Sequence, residues 1–91
     1  MLFVLHAIDK PDSLDLRKAT RDEHLAFMAD YDTPVGGPLL DADGNMCGSM
    51  IVLDVPDRAA AEAFVAGDPY GKAGLFESVS LNEFMKVAWP Q

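Results

Sequence analysis

The sequence predicts an α+β fold in which two helices cover one face of a four-stranded antiparallel sheet. Apolar stretches rich in β-forming residues and two helical segments follow one another as strand, helix, strand, strand, helix, strand. An Asp-Gly turn joins the second and third strands as a hairpin. This order is the ferredoxin-like βαββαβ arrangement, with both helices on one face of the sheet. A chain of 91 residues has the size of one domain, so we assign residues 1–91 to a single domain.

Composition limits the classes of function that the chain can serve. It has 15 acidic and 7 basic residues, a formal net charge of −8 that repels nucleic-acid backbones. Hydrophobic residues make up 49% of the chain, yet no stretch approaches the ~20 apolar residues of a membrane span. Cys47 is the single cysteine, so no internal disulfide forms, no zinc spacing exists, and a cytoplasmic location is expected. We therefore expect neither nucleic-acid nor membrane partners.

The first strand is predicted at Leu2–Ile8 and is closed by Asp9. Because this stretch lacks a basic leader, we interpret it as a strand and not as a signal peptide. Both alternating sets of its side chains are apolar, so it should be covered on two faces. His6 belongs to one of these sets, where a lone histidine is typically a packed, hydrogen-bonded residue and not a catalyst.

The first helix is predicted from Leu14 to about Tyr31, with Ser13 as its N-cap. At about 100° per residue, one stripe of this helix contains Leu14, Arg21, Leu25 and Met28. Arg17 and His24 lie on a shoulder of that stripe, so two arginines and a histidine fall on the core-facing side. Arginine stems can lie on apolar surface with their heads in water, which is a sufficient explanation for the arginines. The short ring of His24 cannot reach water in that way.

The second strand, Val35–Leu40, begins with glycines and carries a proline that restricts it to a sheet edge or a bulge. Gly36 and Gly37 would let other groups approach the backbone closely. This pair matches neither the Walker pattern nor a dinucleotide fingerprint, so no nucleotide cofactor is expected. Asp41–Asn45 is the hairpin turn that follows.

The third strand, Met46–Leu53, is apolar on both faces except at Ser49. Two helices cover only one face of a small sheet, so the other face needs a second partner. A second copy of the chain is the economical candidate, which predicts a homodimer packed sheet to sheet. Ser49 alone also fits an ordinary hydroxyl satisfied within the sheet. Cys47 is interpreted as a small apolar side chain.

The second helix is predicted at Arg58–Gly67 and ends there because the residue before a proline avoids helical geometry. Asp68 is that residue, and its carboxylate lies at a helix C-terminus, where the dipole disfavours an anion. The common explanation is an Asp-Pro turn whose carboxylate caps nearby backbone amides. A final strand is predicted from Leu75 to about Val87, interrupted in pattern at Asn82 and Glu83, before a short tail, Trp89–Gln91.

Four groups of residues, in this order and spacing, resemble the YciI-like (YCII-related) family. They are Arg17-x-x-x-Arg21-x-x-His24-Leu25, Gly36-Gly37-Pro38-Leu39, Gly48-Ser49, and Asp68-Pro69-Tyr70 followed by Ala73-Gly74-Leu75-Phe76. No group is specific alone, but together they cover nearly the whole chain. The resemblance implies one YCII-related domain whose ferredoxin-like sheets pair into a dimeric α+β barrel.

The resemblance also implies a candidate site. The family's active site pairs a histidine with an aspartate, which correspond here to His24 and Asp68. A carboxylate bonded to one imidazole nitrogen would fix the tautomer and leave the other nitrogen to move a proton. Ser49 would orient a substrate oxygen, and Arg17 or Arg21 would hold a carboxylate or enolate. The remaining substrate-binding residues that the resemblance implies are Gly37, Pro38 and Tyr70.

Two functions therefore compete. The first is a cofactor-independent lyase or isomerase that transfers a proton next to a carbonyl of a small molecule; one family member is a dehydrochlorinase of a chlorinated hydroxyquinol. The second is a non-catalytic dimeric module that binds a metabolite or a partner protein. A metal site is a weaker hypothesis, because His24 and Asp68 supply two ligands and the sequence shows no clear third.

Overall fold

In the computed structural model, which describes residues 1–88, four strands form one antiparallel sheet. The strands are β1 (Leu2–Asp9), β2 (Asp32–Leu40), β3 (Met46–Asp54) and β4 (Phe76–Phe84). The helices are α1 (Leu14–Met28), α2 (Arg58–Gly67) and a short α3 (Pro69–Lys72). The strands lie in the order β2-β3-β1-β4, and each neighbouring pair is antiparallel. The ferredoxin-like fold is confirmed. The predicted tail, Trp89–Gln91, lies outside the described residues.

The ends of several elements differ from the sequence prediction. The α1 helix ends at Met28, three residues early, because the amides of residues 30 and 31 bond to carbonyls only three residues back in a tight turn. The β2 strand begins at Asp32, which pairs with Asp54 across an irregular stretch of the ladder. The β4 strand is shorter than predicted, yet its pairing runs unbroken through Asn82 and Glu83. Ser13 precedes α1 but makes no capping hydrogen bond with its side chain.

The α3 helix was not predicted from the sequence. It starts at Pro69, in the first turn of a helix, where the missing N–H removes no intrahelical bond. Asp68 caps it by accepting a hydrogen bond from the backbone N–H of Tyr70 at 3.0 Å. The same aspartate therefore ends α2 and begins α3, and it fixes the sharp change of direction between them.

One face of the sheet is covered and forms the core. Phe3 and Leu5 of β1 lie beside Leu53 and Ile51 of β3, and all are buried. Phe64 of α2 is fully buried against this face and packs against a tilted ring from α1, Phe27, and edge-on against Tyr31 in the turn after it. No helix within residues 1–88 has the length and apolar character needed to cross a membrane.

The opposite face of the sheet is not covered by any described helix or loop. Strand alternation places eight apolar side chains there, and all but Val52 are half-buried or exposed: Leu2, Val4, Ile8, Val35, Leu39, Met50, Val52 and Phe84. We call these residues the open face. His6 belongs to it and is exposed, so the expectation of a packed His6 is not met within the protomer. Within one protomer β1 is thus covered on one face and not on the two that its sequence predicts.

Gly48 marks a close approach between the two central strands. A Cβ at this position would collide with the carbonyl oxygen of Ala7, which is backbone and cannot rotate away. A Cβ at Gly37 would meet no atom within 4 Å. We predict that Gly48→Ala lowers the free energy of unfolding by about 1–3 kcal/mol or more, as overpacking does. Gly37→Ala is the matched control and should change it by about 0.5 kcal/mol or less. Urea denaturation measures the free energy of unfolding of both variants. Equal losses would show that β1 and β3 can move apart at Gly48 to fit a methyl group, and would contradict the prediction.

Candidate active site

A cleft with a volume of about 100 Å³ lies between α1, α3 and the strands β2 and β3. Its polar lining comes from Arg17, Arg21, His24, Ser49 and Tyr70. Its remaining walls are Leu25, Met28, Gly36, Gly37, Pro38, Met46 and Ile51. The structure thus brings together every site residue predicted from the sequence. Asp68 alone does not line the cleft and lies behind the ring of His24.

His24 and Asp68 form a buried pair. The Nδ1 atom of His24 lies 2.8 Å from Oδ1 of Asp68, and the two side chains are 7% and 1% exposed. An ionised carboxylate only accepts hydrogen bonds, so Nδ1 is the donor in this contact and Nε2 is the ring nitrogen left for another partner. The other carboxylate oxygen, Oδ2, is buried and has no hydrogen-bond partner among residues 1–88.

The sequence suggested two roles for Asp68, a cap of nearby backbone amides and a partner of His24, and one oxygen atom makes both contacts. Oδ1 accepts from the backbone N–H of Tyr70, as a capping carboxylate does, and it also contacts His24. The cap fixes the carboxylate rigidly to the start of α3, and the carboxylate in turn fixes the imidazole that projects from α1. A turn residue thereby becomes the support of a candidate base.

Tyr70 holds the ring of His24 from a second direction. The two rings stack with centroids 4.0 Å apart and planes 19° from parallel. Burial raises the pKa of Tyr70 above its ordinary value, although the nearby charges of Arg17 and Arg21 act in the opposite sense. Tyr70 therefore remains a neutral phenol at physiological pH, and the guanidinium of Arg17 lies over its ring, 4.6 Å from the centroid.

Among residues 1–88, Arg17 is the largest of the fully buried side chains, at 2% exposure. Its Nε and Nη2 atoms donate to the two carboxylate oxygens of Asp9 at 2.7 and 2.9 Å, and Nη2 also donates to Ser49 Oγ at 2.8 Å. Burial disfavours the guanidinium charge, but the Asp9 carboxylate outweighs it and the pKa of Arg17 is raised. The explanation of Arg17 as a stem with its head in water is therefore wrong.

Sequence reasoning missed Asp9 as a member of this site. It was assigned to the end of β1, although it continues the alternating set Phe3, Leu5 and Ala7 that faces the helices. A carboxylate on the covered face of a strand needs a cationic partner. The position of Asp9 in this alternating set therefore indicated that a cation must lie next to it. Thr20 was missed as well; it is buried between Arg17 and His24 along α1, and its hydroxyl donates to its own helix.

The buried side of α1 lies one shoulder away from the predicted stripe. Arg17, Thr20 and His24 are its buried residues, whereas Leu25 is half exposed at 49%. The buried residues of α1 are polar because they face a polar cluster formed by Asp9, Ser49 and Asp68. An apolar stripe would be needed there only if α1 packed on apolar side chains. Leu25 and Met28 line the cleft, and Met28 also packs against the edge of the core.

Arg21 differs from Arg17 in its surroundings. It is exposed, lines the cleft and makes no ion pair among the described residues. None of the described residues that line the cleft is acidic. Because Asp9 pairs with Arg17 and Asp68 lies behind His24, Arg21 is the cation of the cleft lining that a bound anion can pair with.

His6 and Cys47, which the sequence analysis does not assign to the site, lie outside the cleft. His6 is on the open face and does not extend the polar lining. Cys47 is half-buried and belongs to neither the core cluster nor the cleft. Residues 1–88 hold no group of three or more His, Cys, Asp or Glu side chains placed to share a metal ion, so the pair of His24 and Asp68 gains no third ligand there.

Comparisons with known proteins place this geometry in context. The family model of the YCII-related domain matches residues 1–85. The protein YciI of Escherichia coli O6:H1 is 35% identical over 97 residues, an alignment that covers 96% of this chain and 99% of the relative.

Among solved structures, 5-chloro-2-hydroxyhydroquinone dehydrochlorinase from Burkholderia phenoliruptrix AC1100, in complex with 2,5-dihydroxybenzoquinone, is similar with a TM-score of 0.88. It is 33% identical, and the match covers 93% of this chain and 94% of that one. An uncharacterized NIPSNAP domain protein from Burkholderia xenovorans, 18% identical with a TM-score of 0.60 over 100% of this chain and 99% of that one, shares the fold alone.

Because Tyr70 is buried, the free energy of unfolding should change with pH in the alkaline range. Its pKa in the folded state is raised above the ordinary 10.0, so the folded protein holds this proton more tightly than the unfolded chain. The resulting stabilisation is complete below about pH 10 and is lost as the pH rises through the folded-state pKa. We predict that Tyr70→Phe flattens the decline in the free energy of unfolding above pH 10. Denaturant titrations of both proteins from pH 8 to 11 test this, and parallel curves would contradict it.

Proposed function

The chain belongs to the YCII-related family, and from that premise we propose that it is a cofactor-independent lyase or isomerase acting on a small anionic ring compound. The buried contact between His24 and Asp68, at the wall of a cleft that the exposed Arg21 also lines, carries the proposal. The sequence contains no cofactor fingerprint, so the chemistry is assigned to side chains. Proton transfer next to a carbonyl needs only a positioned base and a site for the developing oxyanion.

In the proposed reaction, His24 Nε2 removes a proton from a carbon next to a carbonyl group. The C–H electron pair moves toward the carbonyl, and the oxygen becomes an enolate. The intermediate then either expels a leaving group with its bonding electrons from the adjacent carbon, which is elimination, or takes the proton back at another carbon, which is isomerisation. Asp68 stabilises the imidazolium that forms, and the unpartnered Oδ2 atom adds to the negative field behind the ring.

The cleft supplies what an enolate requires. Arg21 offers a cation without a protein counterion among the described residues, and Ser49 offers a hydroxyl within the same cleft. The side chains of Leu25, Met28 and Ile51 provide apolar surface for the ring of a ligand. Oxygen-rich anionic rings, such as enolates of hydroxylated quinones, combine both requirements.

The solved relative supports elimination as the more specific form of the proposal. That protein is a dehydrochlorinase of a chlorinated hydroxyhydroquinone and was solved with a dihydroxybenzoquinone. At 33% identity over most of both chains, its chemistry is a reasonable starting point for substrates. Loss of chloride fits the same sequence of base, enolate and leaving group.

We also propose that two copies associate through their open faces into a dimeric barrel in the cytoplasm. The observation in support is an apolar sheet face with no cover from the described residues, on a small domain whose core is one layer thick. Burial of such a face by its own copy would be isologous and large, in the range of obligate dimers. His6 would then become a buried residue of the interface.

The catalytic assignment is tested by turnover of a panel of chlorinated hydroquinones, cyclic enones and lactones. We expect His24→Gln to lower kcat by about 10² to 10⁴, since the amide can still bond to Asp68 but cannot act as a base. Asp68→Asn should cause a comparable loss because it leaves the wrong imidazole nitrogen protonated. The double variant should lose little more than the worse single one, because residues that act as a unit are not additive.

Asp22→Asn is the matched control, since Asp22 is exposed on α1 and away from the cleft. It should keep both turnover and stability. If His24→Gln lowers the melting temperature but not the turnover per folded molecule, His24 is a core residue and the mechanism is wrong. Binding of the panel compounds without turnover would instead favour the non-catalytic binding module.

The dimer is tested by sedimentation. Ile8 on the open face and Leu16 on α1 are matched in exposure, at 36% and 37%. We expect the wild-type protein and Leu16→Glu to sediment as dimers at micromolar concentration, and Ile8→Glu to shift toward monomer because its charge would be desolvated in the interface. A wild-type monomer, or equal behaviour of the two variants, would contradict the proposed interface.

A further inference from the structure

We infer that Asp9 is a positioning residue that acts through Arg17 to aim the hydroxyl hydrogen of Ser49 into the cleft. The inference rests on the proposed function, because it assigns the donor that meets the substrate oxygen. Neither the family match nor the resemblance in the sequence assigns a role to Asp9.

The direction of the Ser49 hydroxyl follows from its partner. Arg17 carries only donors, so Ser49 Oγ must accept the hydrogen bond from Nη2 at 2.8 Å. The hydroxyl hydrogen of Ser49 has no acceptor among the described residues, and Ser49 lines the cleft. A hydroxyl that accepts from a cation is a polarised donor. Its free hydrogen is therefore available to an oxygen atom of a bound ligand.

The position of the Arg17 guanidinium is determined by Asp9. Two parallel hydrogen bonds, from Nε and Nη2 to the two carboxylate oxygens, allow one orientation of the planar group. That orientation leaves the second hydrogen of Nη2 directed at Ser49. The two donors of Arg17 thus connect the end of β1 with the middle of β3. The ring of Tyr70 lies 4.6 Å from the guanidinium carbon and covers the face of the group, but it does not fix rotation within that plane. Removal of Asp9 therefore frees the guanidinium to rotate.

The same contact separates the roles of the two cleft arginines. Asp9 neutralises the charge of Arg17 within hydrogen-bond distance, whereas Arg21 has no carboxylate partner among residues 1–88. Attraction of an anion is accordingly assigned to Arg21, and Arg17 supports Ser49. This division replaces the prediction that either arginine could hold the substrate anion.

The first test requires no ligand. The Hα–Hβ couplings of Ser49, measured by NMR, should indicate a single side-chain rotamer in the wild-type protein. They should become averaged in Asp9→Asn, and likewise in Arg17→Lys, whose ammonium keeps the charge pair but lacks the fork. Asp22→Asn is the matched control and should match the wild type. Averaged couplings in the wild type, or unaveraged couplings in whichever of the two variants folds, would overturn the inference.

The second test uses 2,5-dihydroxybenzoquinone as the probe and calorimetry as the measurement. Ser49→Ala should weaken its binding about 10-fold, the effect of one lost hydrogen bond. Asp9→Asn should weaken it by a similar factor. The double variant Asp9→Asn/Ser49→Ala should also lose about 10-fold, because Asp9 has nothing left to position.

A loss of about 100-fold in the double variant would mean that Asp9 acts independently of Ser49, as a purely structural residue does, and would overturn the inference. An unchanged affinity of Asp9→Asn would overturn it as well. If the wild-type protein does not bind the probe, the proposed ligand class is wrong, and the rotamer of Ser49 alone decides the positioning role of Asp9.

Discussion

Burial of the Arg17 guanidinium between α1 and the sheet is the constraint on which the site depends. A buried cation is tolerated only when it is paired and its N–H groups find acceptors. Asp9 at the end of β1 and Ser49 in β3 meet that requirement. Because three elements contribute to one set of hydrogen bonds, the height and rotation of α1 over the sheet are fixed at this point. The cleft opens beside it.

That placement of α1 also brings His24 to Asp68. Arg17 and His24 are seven positions apart on α1, which is two turns of the helix. The orientation that buries Arg17 therefore buries His24 as well. The Asp68 carboxylate, which also caps the start of α3, bonds to the imidazole of His24, and the ring of Tyr70 stacks on that imidazole. The two buried polar pairs differ in how fully their charges are satisfied. Asp9 neutralises Arg17, whereas Asp68 retains an unpartnered oxygen beside the candidate base.

The fold separates the chemistry from the proposed association. The cleft lies on the helix-covered side of the sheet, and the open face lies on the other side of the same strands. Alternation along β3 sends Ser49 and Ile51 toward the helices and Met50 toward the open face. A short domain thereby uses one strand for the cleft and for an apolar surface at once, which is why both faces of that strand are apolar in sequence.

The order of the elements and the inward position of His24 could be determined from the sequence, because periodicity and turn chemistry are local. The stop before Pro69 and the hairpin at Gly44 follow from backbone sterics in the same way. The sequence also contained the signal for Asp9, in the alternation of β1, although its partner could not be known. Only the tertiary structure decided that Arg17 is buried and paired while Arg21 remains available, since one helical pattern allowed both. It likewise decided that Asp68 and His24, 44 residues apart, share a hydrogen bond. Contacts between distant segments depend on how the elements pack, and no local pattern specifies them.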